Sequence, residues 1–166
     1  MITKTSLLAI RALVCVAEAE QGVVVSPRTI AARLGESPAY MAKVLRSLVK
    51  AGILRAEHGR RGGVLLNRRP SDVTLLAIVE ACQGAIAGSY CQGIADLRMT
   101  CAFHRAAVEL QHSVVSVLSR WNLEQLAASP RPGKRLPGEM HCMMVGFPAA
   151  IAAGPELPSQ NRMRNR

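Results

Sequence analysis

The chain of 166 residues is 49% apolar, which suits one domain with its own core or one domain with an appendage. Its formal charge of +10 favours a negatively charged partner without saying whether that is nucleic acid, membrane or protein. Aromatic content of 3% argues against holding single strands by base stacking, and no stretch approaches the roughly 18 uninterrupted apolar residues of a membrane span.

From Ser6 to Ala19 the residues Leu7, Ile10, Leu13, Val14 and Ala17 recur at spacings of three and four. That pattern predicts an amphipathic scaffold helix with Arg11 and Glu18 off its apolar face. The same two charges interrupt any secretory apolar run, so the expectation is a cytosolic, non-membrane protein. There Cys15, Cys82, Cys91, Cys101 and Cys142 are thiols or metal ligands rather than structural disulfides. Ser26-Pro27 supplies an N-cap and a first-turn proline for a short helix that Gly35 closes. Ser37-Pro38 repeats that start signal, and Tyr40, Met41, Val44, Leu45, Leu48 and Val49 form the inward stripe of a third helix ended by Gly52. Two short helices joined through Gly35 predict a helix-turn-helix.

Residues 53 to 68 follow as two apolar arms around a tip holding Gly59, Arg60, Arg61, Gly62 and Gly63. Glycine permits a tight turn and close backbone approach to a phosphate, so this hairpin is expected to act as a basic wing. The placement of charge agrees: residues 1 to 70 hold twelve Lys/Arg against four Asp/Glu, whereas residues 71 to 127 hold three against five. Pro70-Ser71-Asp72 restarts the chain, and Val73, Leu76, Ala77, Val79 and Glu80 predict a fourth helix stopping near Gly84. After a mixed loop, Phe103, Ala107, Leu110, Val114, Val117 and Trp121 alternate by four and three between Cys101 and Trp121. This coiled-coil-like seam, widened by Val108, Val115 and Leu118, predicts a dimerisation helix. Asn122 to Gln125 has the spacing of a capping box for a short last helix, Leu123 to Ala127. Beyond Ser129, six prolines and the ending Asn-Arg-Met-Arg-Asn-Arg predict a flexible basic tail.

The expected fold class is therefore mainly α with a small β-hairpin wing: a winged helix-turn-helix over residues 1–70, a sensor loop and long dimerisation helix over 71–127, and a tail over 128–166. A helix fits the major groove of duplex DNA, and residues near its N-terminus meet base edges. Ser37, Pro38, Ala39, Tyr40, Lys43 and Arg46 are the candidate readers, with Pro38 and Ala39 limited to apolar contact. His58, Arg60 and Arg61 belong to the wing, where the two arginines suit a narrow minor groove. Arg28, Lys50 and Arg55 suit phosphate contacts that position without specifying. The competing reading is a winged-helix adaptor for protein contact, its basic residues forming a solvated face.

Set together, Ile30-Ala31, Tyr40-Met41, Leu45, Leu48, Ala51-Gly52-Ile53, Gly59, Gly62-Gly63 and Leu65, continued by Thr74-Leu75 and Gln83-Gly84, resemble the Rrf-two family of bacterial winged-helix regulators, the family of IscR, NsrR and CymR. The resemblance covers roughly residues 1 to 127. It implies a homodimer bound to a palindromic promoter site in double-stranded DNA, and an iron-sulfur cluster held by cysteines in the loop before the dimer helix. The usual third, middle cysteine of that loop is replaced here by Asp96, giving Cys91-x4-Asp96-x4-Cys101-x2-His104. Leu7 or Leu8 stands where some members have an acidic cluster ligand, Ala42 where IscR-like members have glutamate, and Val64 where an aromatic is common.

Cys91, Asp96, Cys101 and His104 form a donor set suited to an iron-sulfur cluster with one hard ligand, or to tetrahedral zinc or ferrous iron. Cys101 and His104, three residues apart, share a helical face. Two further readings stand beside it. One is a thiol switch that forms a Cys91 to Cys101 disulfide near Arg98 and Arg105, and the other is a pair of ordinary loop cysteines. Cys15 and Cys82 read as small buried apolar residues, and Cys142 beside His141 carries no reading. An enzyme is not expected, because no orienting residue or oxyanion-type turn accompanies Cys101 and His104.

Overall fold

The computed structural model describes residues 2–19, 22–59, 62–86, 100–128 and 144. At its centre lies α1 (Lys4–Ala17), started by Thr3, whose side chain accepts the Ser6 N–H. Around it pack α2 (Pro27–Leu34), α3 (Pro38–Lys50), α4 (Leu75–Gln83), α6 (Leu123–Ala128) and strand β2 (Gly63–Leu66). Neighbours on every side explain why Leu8 through Val16 are all buried, including Arg11 at 6% exposure. The expectation that Arg11 lies off the apolar face is therefore corrected, since α1 has no solvent face along this stretch. A fully buried Leu, Ile, Val or Met in this core contributes about 1.5–3 kcal/mol, and Leu13, Ile30, Met41, Leu45, Leu48 and Ile78 all qualify.

The helix-turn-helix is built by one device used twice. At the end of α2, Gly35 takes φ 68° while its N–H reaches Ala32 O and the Glu36 N–H reaches Ala31 O. At the end of α3, Gly52 takes φ 68°, its N–H bonds Val49 O, and the Ile53 N–H bonds Leu48 O. Each is a Schellman closure in which the left-handed residue lets two terminal carbonyls find donors. Ser26 and Ser37 cap the starts, accepting the N–H groups of Thr29 and Tyr40. In α3 the buried Met41, Val44, Leu45 and Leu48 turn inward, as their spacing predicts.

Strands β1 (Leu54–Glu57) and β2 pair antiparallel, Leu54 opposite Leu66 and Glu57 opposite Gly63. The chain just before α2 joins them: the Val25 N–H donates to Val64 O and the Val64 N–H to Val25 O, both at 2.9 Å. A Cβ at Gly63 would lie 2.4 Å from Val25 O, so Gly63 is required by this third strand segment. Of the hairpin glycines Gly59, Gly62 and Gly63, only Gly59 has a positive φ, and a Cβ at Gly62 would meet Glu57 O at 2.7 Å. The Gly62 N–H closes the turn on Gly59 O at 3.0 Å, and the glycines at 62 and 63 serve backbone-to-backbone closeness rather than a positive φ.

After a 3-10 turn at Pro70–Asp72, α4 begins under a Thr74 cap and ends at Gly84. Helix α5 (Ala102–Arg120) packs on α4, and its end is tied to the start of α4: the Leu75 N–H donates to Trp121 O and the Leu123 N–H to Val73 O. Asn122 and Gln125 bond each other's backbone N–H groups at 3.0 Å, the reciprocal capping box expected for α6. Leu118 is turned into the core at 6% exposure instead of widening the outer seam of α5. From the tail, Met144 packs against the core, so this part of the expected flexible segment is docked.

Candidate nucleic-acid interface

The outer side of α3 follows from the placement of its core stripe. With Met41, Val44, Leu45 and Leu48 buried, Ala39, Lys43, Arg46 and Lys50 fall four, three and four residues apart on the opposite face, and all are exposed. Ser37 and Pro38 are exposed at the leading end. The Ser37 hydroxyl oxygen is engaged by the Tyr40 N–H at 3.2 Å, leaving its own O–H to donate outward. Arg28 is exposed in the first turn of α2, and His58 is exposed where β1 gives way to the wing tip. Arg60 and Arg61 lie outside the described residues.

Tyr40 is placed differently from its neighbours. It is half-buried against the core, and its hydroxyl lies 3.0 Å from Thr5 Oγ1 on α1. Several other basic residues engage partners within the chain. Arg55 pairs with Glu57 at 3.0 Å along β1, and Arg33 pairs with Glu18. Arg68 donates from Nε to Gly52 O at 3.1 Å and from an Nη to Ala51 O at 3.2 Å, joined by Asn67 Nδ2 on Gly52 O. These donors cap the C-terminal carbonyls of α3, where a cation also complements the helix dipole. Sequence reasoning missed this role of Arg68; no local pattern announces it, because the contact spans seventeen residues.

Of the expected sensor set, Cys91 and Asp96 lie outside the described residues, as does Cys142. Cys101 is the N-cap of α5, exposed, its Sγ accepting the His104 N–H at 3.4 Å. His104 is buried at 6% exposure, and its Nδ1 has no hydrogen-bond partner among the described residues. The three-residue spacing places both on one turn yet in different surroundings, thiol outward and imidazole inward. A buried ring nitrogen left without a proton donor or acceptor is costly, and a metal ion would satisfy it. Among the described residues no group of three or more His, Cys, Asp or Glu side chains converges. Cys15 is buried as expected, whereas Cys82 is half-buried, its thiol pushed above the ordinary value by burial.

The remaining feature is the outer face of α5. Phe103, Leu110, Val117 and Trp121 are 73%, 66%, 46% and 43% exposed, while Ala107 and Val114 of the same seam are half-buried. No helix among the described residues is long and apolar enough to cross a membrane.

Comparison with known proteins places this geometry. Over 123 residues the chain is 29% identical to the candidate HTH-type transcriptional regulator YffB of Lactococcus lactis, spanning 69% of this chain and 79% of that protein. In structure it is similar to CymR, the global cysteine regulator of B. subtilis, with TM-score 0.64 and 22% identity over 77% of this chain and 96% of that one. It is equally similar to T. potens IscR, with TM-score 0.64 and 22% identity over 83% and 93% of the two chains. The Rrf2 family profile, described as an iron-dependent transcriptional regulator, matches residues 2–129. The protein, a mostly helical chain with a two-stranded wing, belongs to the Rrf2 family: it is a DNA-binding transcriptional regulator and not an enzyme.

Proposed function

We propose that two copies of this chain, acting in the cytosol, bind a pseudo-palindromic operator and repress transcription from it. Residues 1–70 read the duplex, 71–127 sense and dimerise, and 128–166 form a basic extension. The observation that carries this reading is the exposed stripe Ala39, Lys43, Arg46 and Lys50, backed by a fully buried core stripe and flanked by a wing fixed at Val25. Ser37, Pro38 and Ala39 would meet base edges, Lys43 and Arg46 bases or phosphates, Arg28 a phosphate, and His58, Arg60 and Arg61 the adjacent minor groove. The exposed seam of Phe103, Leu110, Val117 and Trp121 supports a second copy as its occupant, since like apolar positions at heptad spacing are self-complementary about a two-fold axis.

The test is fluorescence anisotropy with a duplex enriched from a random pool by the wild-type protein. Lys43→Ala is expected to weaken binding about tenfold, consistent with loss of about 1–3 kcal/mol at a base contact. Absence of salt-dependent affinity for any duplex, with a copurifying protein instead, would leave the adaptor reading standing.

For the signal, the Nδ1 of buried His104, which has no partner among the described residues, supports an iron or iron-sulfur site, with Cys91, Asp96 and Cys101 as sequence-spaced ligands and Cys101 needing to turn inward from its exposed position. An iron-sulfur cluster held by these residues would supply redox-labile chemistry next to α5. The exposure of Cys101 supports a second reading, a Cys91 to Cys101 disulfide as the signal. Protein isolated without oxygen separates them. The first predicts bound iron and a visible absorbance that Cys101→Ala abolishes, the second a colourless protein whose disulfide forms on oxidation.

A further inference from the structure

Two sets of side-chain hydrogen bonds tie the first turn of α1 to elements far away in sequence. Thr5 Oγ1 meets the Tyr40 hydroxyl of α3 at 3.0 Å. On the same turn, Gln83 Oε1, at the last residue of α4, receives the Thr3 N–H at 3.1 Å and the Ser6 hydroxyl at 2.9 Å. The donors can be assigned by counting hydrogens. Ser6 gives its single hydroxyl hydrogen to Gln83, so in the 2.9 Å contact between Thr3 Oγ1 and Ser6 Oγ it is Thr3 that donates. Thr3 Oγ1 in turn accepts the Ser6 N–H at 3.2 Å. Each of these hydroxyls therefore has a defined role, and Ser6 is wholly buried. The amide oxygen of Gln83 also sits where the positive end of α1 favours it.

Tyr40 is the third residue of α3, directly after Ala39 and one turn before Lys43 on the exposed stripe. A contact on its hydroxyl restrains the N-terminal end of α3, and a binding constellation requires placement within roughly 0.5 Å and 10–20°. We propose that Thr5 and Tyr40 are positioning residues for sequence recognition, and that Gln83 makes the end of α4 part of the same device by clamping the turn that carries Thr5. This rests on the reading of α3 as the DNA reader. It assigns to Tyr40 a task away from the bases, and it links α4 to α3 through one turn of a third helix.

The experiment compares the full-length wild type with Thr5→Val, Thr5→Ser, Tyr40→Phe, Gln83→Met and the pairs Thr5→Val/Tyr40→Phe and Gln83→Met/Tyr40→Phe. The probes are the duplex enriched by the wild type and a scrambled duplex of equal length. Loss of one hydrogen bond is expected to weaken binding of the enriched duplex about three- to tenfold in Thr5→Val and in Tyr40→Phe. Affinity for the scrambled duplex should stay unchanged, because it rests on phosphate contacts that carry no sequence information. Thr5→Ser, which keeps the hydroxyl, should restore wild-type discrimination. The Thr5→Val/Tyr40→Phe pair should be no weaker than either single variant, and Gln83→Met with Tyr40→Phe should be less than additive.

Equal losses on both duplexes would show general loosening and overturn the proposal, as would wild-type discrimination in Thr5→Val or no rescue in Thr5→Ser. Strict additivity with Gln83→Met would overturn the part assigned to α4. A wild-type chain with no salt-dependent affinity for duplex DNA would overturn the underlying reading, whereas wild-type binding with unaltered variants would overturn this inference alone.

Discussion

Helices α1 and α5 are both rich in apolar residues, and the fold treats them oppositely. Along α1, Leu8 to Val16 are buried without a break, and even Arg11 is enclosed, because α2, α3, α4, α6 and β2 surround it. Along α5, the longer helix, only His104 and Leu118 are buried, and Phe103 and Leu110 are largely open. Apolar content alone does not tell the two apart. What separates them is the supply of neighbours: α1 is surrounded within one chain, while α5 has α4 on one side and an apolar seam of heptad spacing on the other. Among the described residues the surroundings of α1 are closed, and the outer half of α5 stays open.

Substitutions on the two helices should separate these cases. Leu13→Ala removes a fully buried side chain and is expected to cost about 2–5 kcal/mol, seen as a lowered Tm with the self-association constant of the folded chain unchanged. If self-association weakened as well, α1 would belong to the interface too. Gly63→Ala would test whether the wing shares in this closed interior. The new Cβ, within 3 Å of Val25 O and Val24 Cγ1, should cost about 1–3 kcal/mol and release the Val25 and Val64 amides to faster hydrogen exchange.

Leu110→Glu lies at the other pole. Within one chain it should change stability by roughly 0.5 kcal/mol or less, yet sedimentation should find a monomer where the proposed function predicts a dimer for the wild type. A dimer that survived this change would place the contact elsewhere. The smallest effect concerns Cys82, half-buried on α4. Burial raises its thiol above the ordinary value of 9.0, so above that pH the unfolded chain releases a proton that the folded chain retains. Stability should therefore fall as pH rises past this value, and Cys82→Ala should make denaturant midpoints less steeply dependent on pH in that range.

Much of the helix-turn-helix was legible in sequence because its signals are local. Ser26-Pro27, Ser37-Pro38, Gly35 and Gly52 each fix a helix end through contacts within a few residues, and Asn122 with Gln125 does so for α6. The periodicity of α3 likewise set Lys43 and Arg46 outward. The features that escaped depend on partners distant in the chain: the enclosure of Arg11, the third strand at Val25 that demands Gly63, the turn of Leu118 into the core, and the cap of Arg68 on α3. Tyr40 shows the limit most clearly. Sequence placed it both in the inward stripe and among the DNA-facing residues, and only its contact with Thr5 shows that its hydroxyl is engaged within the fold. At the sensor, spacing grouped Cys101 with His104, but burial divides them.

The cap formed by Arg68 also alters how many counterions this protein can displace from DNA. A guanidinium held on Ala51 O and Gly52 O, like those of Arg55 beside Glu57 and Arg33 beside Glu18, has its charge directed at the protein itself. The dependence of log affinity on log salt counts only the phosphates that cations reach. Its slope should therefore be shallower than the twelve basic residues among the first seventy would suggest. The fold sets aside part of its basicity to hold the end of α3 in shape.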